Sequence, residues 1–149
     1  MTSTLTLRRA TAADALDVLA WRNDPQTRAM SRDTSEVESA AHLAWFERAL
    51  ADPARTILIG EVGGRKVGMV RFDHGDETEV SINLAPDHRG QGLSHPLLMK
   101  ALAGIQGDVW AEIRIENAAS IRLFERAGFE PQGRRDGVWR YRRRSGSSA

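Results

Sequence analysis

The sequence predicts a mixed α/β sheet flanked by helices, and three observations support this fold class. Segments of alternating apolar and polar residues, typical of half-buried strands, are separated by segments with the three- and four-residue spacing of amphipathic helices. Two strand segments flank the dipeptide Gly63-Gly64, which indicates an antiparallel hairpin. A strand, a helix and a second strand follow one another over residues 80–116, which indicates a parallel pair joined by a crossover.

The first half of the chain is predicted to supply three strands and two helices. Thr11 and Asp14 have the spacing of a capping box before the first helix, and Pro25 is expected to end that helix. In order, the predicted elements are a strand over residues 4–9, a helix starting at Ala15, a loop or short helical turn over 26–34, a second helix capped near Thr34 and closed by Pro53, and strands over 55–62 and 66–72.

The second half is predicted to add four strands and two helices, giving the order β-α-α-β-β-β-α-β-α-β-β in a single domain over residues 1–149. Asp136-Gly137 is expected to form the last hairpin turn, and Gly128 to end the helix before it. Residues 1–3 and the tail 145–149 are expected to be flexible. The predicted elements are a strand ending at Leu84, a helix over 94–104, a strand over 108–116, a helix over 117–126, and strands over 130–135 and 138–143.

Composition narrows the classes of function. The 21 basic and 20 acidic residues nearly balance, and the arginines clustered near the C-terminus are interpreted as a basic strand end rather than a nucleic-acid site. The lack of cysteine and of histidines at ligand spacing predicts a protein without a metal. With no apolar run of roughly 18 residues and no signal-peptide core, we expect a cytoplasmic protein without membrane contact.

The stretch Val80–Ser94 carries the clearest chemical signal. Its strand ends at Leu84, and the turn Arg89-Gly90-Gln91-Gly92 leads into a helix for which Ser94 is the expected N-cap. Glycine lets backbone N–H groups close on an anion, and the positive end of the helix dipole adds attraction. The stretch therefore predicts a binding site for a phosphate or pyrophosphate.

Two motifs in the second half of the chain, taken together, point to one family. Arg89–Ser94 is similar to an R/Q-x-x-G-x-G/A loop, with Ser94 where glycine or alanine is usual, and Asn117–Phe129 closely matches N-x-x-(A/S)-x-x-L-(Y/F)-x-x-x-G-F. A helix and a strand separate the motifs, which begin 28 residues apart. Together they resemble the GNAT superfamily of acyl-CoA-dependent N-acetyltransferases. The resemblance implies that family's mixed sheet, with acetyl-CoA as the acyl donor and an amine as the acceptor.

A narrower resemblance lies in the first third of the chain. The segments Trp21–Pro25 and His42–Phe46 are similar to the GNAT branch that acetylates nucleotide-linked amino sugars, of the pseudaminic acid pathway type. The same branch includes acetyltransferases of ribosomal-protein N-termini. Core packing is the simpler interpretation of both tryptophans. The resemblance nevertheless implies that the acceptor side is lined by Arg22, Asn23, His42 and Trp45.

For the coenzyme, the resemblance implies contacts with two parts of the chain. Main-chain N–H groups of the loop hold the pyrophosphate, and the backbone over residues 82–84 pairs with the pantetheine arm as an added strand. An N–H near Leu84 polarises the thioester carbonyl. Asn117 is expected to bond the pantetheine, to cap its own helix, or both. The residues so assigned are Ile82, Asn83, Leu84, Arg89, Gly90, Gln91, Gly92, Leu93, Ser94, Asn117, Ser120 and Phe124.

A general base is useful because an amine with a pKa of roughly 10 is protonated at neutral pH and cannot attack. Glu112 is the candidate, since it lies in the strand that, in this family, diverges from its neighbour to open the acceptor cleft. The alternation of that strand equally allows Glu112 a plain position on a polar face beside Arg114. Glu79 is the reserve base, and a water chain without a dedicated base is the remaining alternative.

The general acid departs from the family pattern. Many members carry a tyrosine where this chain has Phe124, which donates no proton. A coenzyme A thiol, with a pKa near the cysteine value of about 8.5, can leave unaided. Solvent, Ser120 and Tyr141 therefore remain as sources of the proton.

The predicted function is transfer of an acetyl group from acetyl-CoA to a primary amine. Direct attack in a ternary complex is expected, because no cysteine or apparent Ser–His–acid set suits an acyl-enzyme. The expected acceptor is an amino-sugar nucleotide. The alternatives are a protein N-terminus or another small amine, and a non-catalytic acyl-CoA-binding module. A homodimer is compatible with the sequence as well.

Overall fold

The computed structural model describes residues 4–31 and 34–145, and within them seven strands form one mixed sheet in the order β1-β2-β3-β4-β5-β7-β6. This architecture confirms the predicted fold class. The strands are β1 (Leu5–Arg9), β2 (Arg55–Val62), β3 (Arg65–His74), β4 (Thr78–Leu84), β5 (Val109–Arg114), β6 (Glu130–Arg135) and β7 (Val138–Arg143). The helices are α1 (Ala15–Asn23), α2 (Pro25–Met30), α3 (Ser39–Ala51), α4 (Ser94–Leu102) and α5 (Ala118–Arg126).

Two tight hairpins have the predicted turn chemistry. Gly63 and Gly64 between β2 and β3 have φ of 58° and 78°, and Asp136 and Gly137 between β6 and β7 have φ of 54° and 78°. Positive φ at both central residues is the signature of the turn that matches the right-handed twist of paired strands. Glycine and aspartate tolerate this conformation, so the turn residues set the register of both hairpins.

The parallel pair of β4 and β5 is short, and this feature creates the site. Only Thr78 with Val109 and Glu79 with Trp110 are paired, after which the two strands diverge. Beyond that point β4 still pairs with β3, and β5 pairs with β7. The sheet therefore contains a gap, with an open strand edge on each side.

The two faces of the sheet are covered by separate cores. On one face, α4 and α5 bury Leu97, Leu98 and Phe124 against the strands. On the other face, α1 and α3 bury Trp21 and Phe46. The first core includes residues of both β4 and β5, and the second core covers the other face of the sheet at β2 and β3.

A buried carboxylate fixes α1 to the sheet. Asp14 is 1% exposed and accepts hydrogen bonds from Arg8 at 2.8 and 2.9 Å and from the Thr11 main chain at 2.8 Å, and it pairs with Lys66 at 2.8 Å. These partners hold the pKa of Asp14 well below its usual range. The predicted capping box is thus present, and it ties β1, β3 and the start of α1 together.

Several predicted boundaries were wrong. The second helix starts at Ser39 rather than near Thr34, because Asn23 exchanges two hydrogen bonds with the Val37 main chain, of 2.8 and 2.7 Å, and Glu38 stays extended. Ser94 is the first residue of α4 and Leu93 occupies the N-cap position.

Two other elements are shorter than predicted. The helix predicted to end at residue 104 ends at Leu102, and β5 stops at Arg114, so that Ile115 is 40% exposed. A short 3-10 turn, Pro86–His88, was not predicted. Of the loose ends expected at residues 1–3 and 145–149, only Ser145 lies within the described residues, and its N–H donates to Asp108 at 2.6 Å.

Candidate functional site

A cleft of about 670 Å³ opens where β4 and β5 diverge. Its floor is the sheet face that carries Glu79, Ser81 and Glu112, and α2 and α5 contribute its walls. A second cavity of about 230 Å³ continues around the start of α4 and shares Leu84 and Gly90 with the cleft.

The two cavities together form one groove, whose ends differ in composition. The loop end is lined by Gly90, Gly92, Ser94, His95, Arg122 and Arg126. The sheet end is lined by Arg22, Arg71, Glu79, Glu112 and Arg114.

The loop end presents main-chain donors to the groove. Gly90 and Gly92 have φ of 75° and 71°, and a Cβ built on either would meet no atom within 4 Å. Within the described part of the chain, the N–H groups from Gly90 to His95 donate no hydrogen bond to the protein. Unpaired donors at the positive end of a nine-residue helix attract an anion, so this geometry suits a pyrophosphate cradle, which stays a prediction.

The open edge of β4 also presents main-chain groups. The N–H of Ala85 donates to the carbonyl of Val67 at 2.8 Å, in register with the pairing of Gly68 and Leu84. Because bonded and non-bonded pairs alternate in an antiparallel ladder, the main-chain groups of Ile82 and Leu84 point away from β3. They face the gap, where an extended ligand can pair with them as an added strand.

Nearly every residue assigned to the coenzyme lines the groove. The residues found there are Ile82, Asn83, Leu84, Arg89, Gly90, Gly92, Leu93, Ser94, Asn117, Ser120 and Phe124. Gln91 differs, because its side chain turns back toward His88, with Oε1 3.2 Å from Nδ1 of that residue. Asn117 lines the groove and also caps α5, accepting a hydrogen bond of 3.2 Å from the N–H of Ser120.

Both candidate bases lie on the floor of the cleft. Val109, Ala111 and Ile113 are buried on the opposite face of β5, so the predicted alternation holds up to Ile113 and turns Glu112 toward the cleft. Glu79 lies beside Trp110 in the last paired row. Glu112 lies two residues further on, where its β4 counterpart in register is Ser81 and the strands have separated. Glu112 is thus the carboxylate at the gap itself.

Arg89 uses its side chain to connect the loop to α2. Its guanidinium bonds Asp24, the Thr27 hydroxyl at 2.8 Å and the Gln26 amide oxygen at 3.3 Å. Asp24 also caps α2, accepting from the Thr27 N–H at 3.1 Å. The hydrogen bond from Arg89 lowers the pKa of Asp24. This contact is termed the α2 latch, and it fixes one wall of the groove to the anion loop.

Three residues expected on the acceptor side are not brought to the groove. His42 is 4% exposed, with Nε2 2.9 Å from the Ala15 carbonyl and its ring stacked on Phe46. Asn23 holds Val37, as described above. Trp45 packs against the core beneath α1 and α3, with the Arg71 guanidinium 5.4 Å from its ring centre. Of the four predicted acceptor residues, the cleft lining contains Arg22.

The structure does not bring Tyr141 to the groove either. Its hydroxyl donates to Glu125 at 3.1 Å, the residue is 2% exposed, and burial raises its pKa. Tyr141 is therefore withdrawn as a proton source for a leaving group. Phe124 lines the cleft and packs edge-on against Phe129 at 5.0 Å, and Ser120 lines the cleft beside it.

Several residues that face the groove were not predicted. Arg122 and Arg126 are four residues apart on α5, so both face the loop end, where they add positive charge beside the N–H groups. His95 lines the same cavity, and its buried Nε2 has no hydrogen-bond partner in the described protein. Arg71 and Arg114 line the sheet end. Arg122 and Arg126 could have been predicted from the sequence, because their i, i+4 spacing places both on one face of α5.

Comparison with known proteins agrees with this geometry. Residues 4–130 match the family model described as Acetyltransferase (GNAT) domain. N-alpha-acetyltransferase RimI from Mycobacterium tuberculosis is 31% identical over 137 residues, covering 83% of this chain and 85% of that protein. An L-methionine sulfoximine/L-methionine sulfone acetyltransferase from Pseudomonas paraeruginosa is 32% identical over 142 residues, covering 85% and 81%.

The fold is shared with solved structures as well. A spermidine N-acetyltransferase from Vibrio cholerae, crystallised in complex with CoA and spermine, matches with a TM-score of 0.82 at 19% identity. The match covers 95% of each chain. No helix within residues 4–31 and 34–145 is long and apolar enough to cross a membrane.

Proposed function

The chain belongs to the GNAT acetyltransferase family and is an acyl-CoA-dependent N-acetyltransferase, and from this premise we propose that it acetylates the primary amine of a small molecule by direct attack. The observation that carries the proposal is the groove. Main-chain donors that suit a diphosphate lie at one end, two carboxylates lie at the other, and an open strand edge lies between them.

The donor substrate, acetyl-CoA, fits this arrangement in three parts. The N–H groups from Gly90 to His95 would hold the pyrophosphate, with Arg122 and Arg126 adding positive charge. The main-chain groups of Ile82 and Leu84 would pair with the pantetheine arm. Acetyl-CoA supplies an activated acyl group, and its thioester would then lie at the gap beside Glu112.

The acetyl transfer needs no reactant besides acetyl-CoA and the acceptor amine. Glu112, directly or through water, takes a proton from the ammonium group of the acceptor. The amine nitrogen then attacks the thioester carbon, the N–C bond forms, and the C–S bond breaks with release of the coenzyme thiolate. The N–H of Leu84 stabilises the negative charge on the carbonyl oxygen. The nitrogen loses its second proton to solvent as the amide forms. The thiolate takes a proton from solvent or through Ser120, and Glu112 returns its proton to solvent.

Glu112 is preferred to Glu79 because of the register of the two strands. Glu79 lies in the last row where β4 and β5 are still paired, and Glu112 lies two residues beyond that row, where they have separated. Glu79 stays the reserve base, and it also suits a role in binding the ammonium group. A water chain without a dedicated base is the remaining alternative.

The acceptor is proposed as a small amine on the strength of the relatives. One relative bears the name of an acetyltransferase of methionine sulfoximine and methionine sulfone, which are small amino acids. The amino-sugar nucleotide expected from the sequence stays a prediction. A protein N-terminus is the second candidate, favoured by the 31% identity to N-alpha-acetyltransferase RimI.

A thiol-release assay with acetyl-CoA tests the proposal. The panel contains amino acids, amino-sugar nucleotides, peptides with free N-termini, and spermidine. Release with a small amine supports the proposal, whereas release with peptides alone supports the second candidate. Coenzyme uptake in calorimetry without release from any acceptor would contradict both.

A further inference from the structure

The sheet end of the groove carries more cations than carboxylates. Arg22, Arg71 and Arg114 line it together with Glu79 and Glu112. The three arginines come from α1, β3 and β5, so they surround the carboxylates from different elements. A cleft that takes a polycation needs an excess of negative charge among the side chains that face it, and the side chains that line the sheet end have the opposite balance.

Arg71 and Arg114 are held in place by bonds to the protein that do not use all of their N–H donors. Arg71 bonds Asp73 through Nε at 3.2 Å and Nη2 at 3.1 Å, and its guanidinium lies over the Trp45 ring. Arg114 bonds Glu116 through Nε at 3.4 Å and the Ser31 carbonyl through Nη1 at 3.2 Å. Within the described residues, no hydrogen bond uses Nη1 of Arg71 or Nη2 of Arg114. Each guanidinium is therefore ordered by the protein and retains an amino group for a ligand.

The spacing of charges matches a small molecule with both an amine and an acidic group. Glu112 and Arg114 are two residues apart on the same face of β5, which places their Cα atoms about 7 Å apart along the strand. Arg71 is paired with Ser81 on the β4 side of the gap. A small molecule whose amine lies at Glu112 can thus reach a guanidinium with a nearby anionic group.

We infer that the acceptor is a small anionic amine, whose carboxylate or phosphate is bound by Arg71 and Arg114, with Arg22 adding positive charge. This inference rests on the proposed function and narrows it. Polyamines are expected to be poor acceptors because the arginines repel their positive charge. Amines without an acidic group are expected to be poor acceptors because they offer the arginines no anion to bind. Charge-assisted hydrogen bonds of this kind contribute enough for about a tenfold preference or more.

Matched acceptor pairs that differ in one charge test the inference. The pairs are L-methionine with L-methioninamide, for a carboxylate, and D-glucosamine 6-phosphate with D-glucosamine, for a phosphate. Thiol release from acetyl-CoA gives kcat/KM for each. The acidic member of at least one pair is expected to be favoured about tenfold or more, and the pair that responds identifies the anion. Spermidine is expected to be the poorest acceptor.

Two variants assign the preference to residues. Arg71→Gln and Arg114→Gln are each expected to raise KM for the acidic acceptor about tenfold, while KM for its uncharged partner and for acetyl-CoA stays unchanged. Arg135→Gln is the control, because that side chain is 93% exposed at the hairpin turn. Unchanged coenzyme affinity in calorimetry shows that each variant is folded.

The results separate failure of the inference from failure of the proposed function. Equal or faster turnover of the uncharged members overturns the inference and leaves N-acetylation of a small amine intact. If no panel member turns over, calorimetry on the coenzyme-loaded protein with the same pairs decides the inference. Tighter binding of an acidic member then supports it, and equal binding or none overturns it. Absence of coenzyme uptake overturns the proposed function instead.

Discussion

The two ends of the groove present different chemical groups to a ligand. The loop end is made of main-chain N–H groups in one continuous run from Gly90 to His95, supported by glycines with positive φ. The sheet end is made of side chains that come from α1, β3, β4 and β5, far apart in the chain. The first therefore follows from local sequence, and the second follows from the assembled sheet.

The two ends of the groove therefore differ in how readily amino-acid substitutions change them. A main-chain cradle survives most substitutions, because every residue except proline carries the same donor. A cluster of side chains changes its charge with any single substitution. The relatives named above carry names of different acceptors, as expected if one end of such a groove is kept and the other varies.

The largest effect is expected at the sheet end, from Glu112→Gln. Loss of the base is expected to lower kcat about 100-fold or more, and to remove the limb of the pH profile that reports the base. Coenzyme affinity, measured by calorimetry, is expected to stay unchanged because it belongs to the loop end. Glu130→Gln, on the exposed strand β6, is the control. Unchanged kcat and pH profile would remove Glu112 from the mechanism.

The next effect is expected at the loop end, from Gly92→Ala. The new Cβ would enter the space proposed for the anion, so affinity for coenzyme A is expected to fall about tenfold. Gly64→Ala is a matched control, because Gly64 has a similar φ of 78° and equally open surroundings but lies in the β2–β3 turn. Both variants are expected to lose about 1 kcal/mol of unfolding free energy. Equal coenzyme affinity in both would contradict a main-chain cradle at Gly92.

A smaller effect is expected where the two ends are joined, from Asp24→Asn. Asparagine still caps α2 and can accept a hydrogen bond through Oδ1, but it removes the negative charge that pairs with Arg89, so the α2 latch is weakened selectively. Both partners are partly exposed, so the loss of stability is expected to be no more than about 1 kcal/mol, with about threefold weaker coenzyme binding. Calorimetry and thermal unfolding measure the two effects.

The same variant gives a pH dependence with a definite sign. Folding lowers the pKa of Asp24, so its contribution to stability is present above the unfolded value of about 3.9 and is lost as the pH falls through the folded pKa. The difference in Tm between the wild type and Asp24→Asn is therefore expected at pH 7 and should shrink below about pH 4. A constant difference across this range would show that the latch does not act through charge.

The smallest effect is expected from Phe124→Tyr, which restores the residue usual in the family. Because a thiol with a pKa of about 8.5 leaves without help, kcat is expected to change about twofold or less. Steady-state thiol release measures it. A large gain would show that protonation of the leaving thiolate limits the natural protein.

The fold was largely predictable because local signals determine most of it. Strand alternation, Gly63-Gly64 and Asp136-Gly137 located the hairpins, and the loop glycines that predict an anion site have the expected positive φ. The late start of α3 was not predictable, because the Asn23 bonds to Val37 join segments 14 residues apart. Local capping preferences at Thr34 carried no information about that contact.

At the sheet end of the groove, the sequence predicted the two carboxylates but not the arginines beside them. Glu112 and Glu79 were predicted from the family resemblance and from their places on two successive strands, but Arg71 and Arg114 became visible as groove residues only once the sheet order was known. His42 and Trp45 show the opposite failure, since aromatic residues on a helix serve a core as readily as a ligand. Arg89 was predicted from its motif, yet its side chain bonds α2.

The central claim is that main-chain donors at the loop end hold the diphosphate of the coenzyme. An amide NMR titration of the ¹⁵N-labelled protein with coenzyme A, and with pantetheine as the matched ligand without a diphosphate, tests it directly. The amides of Gly90, Gly92 and Ser94 are expected to shift downfield with coenzyme A and not with pantetheine. Unmoved loop amides in a coenzyme-saturated protein, or equal shifts with pantetheine, would contradict the claim.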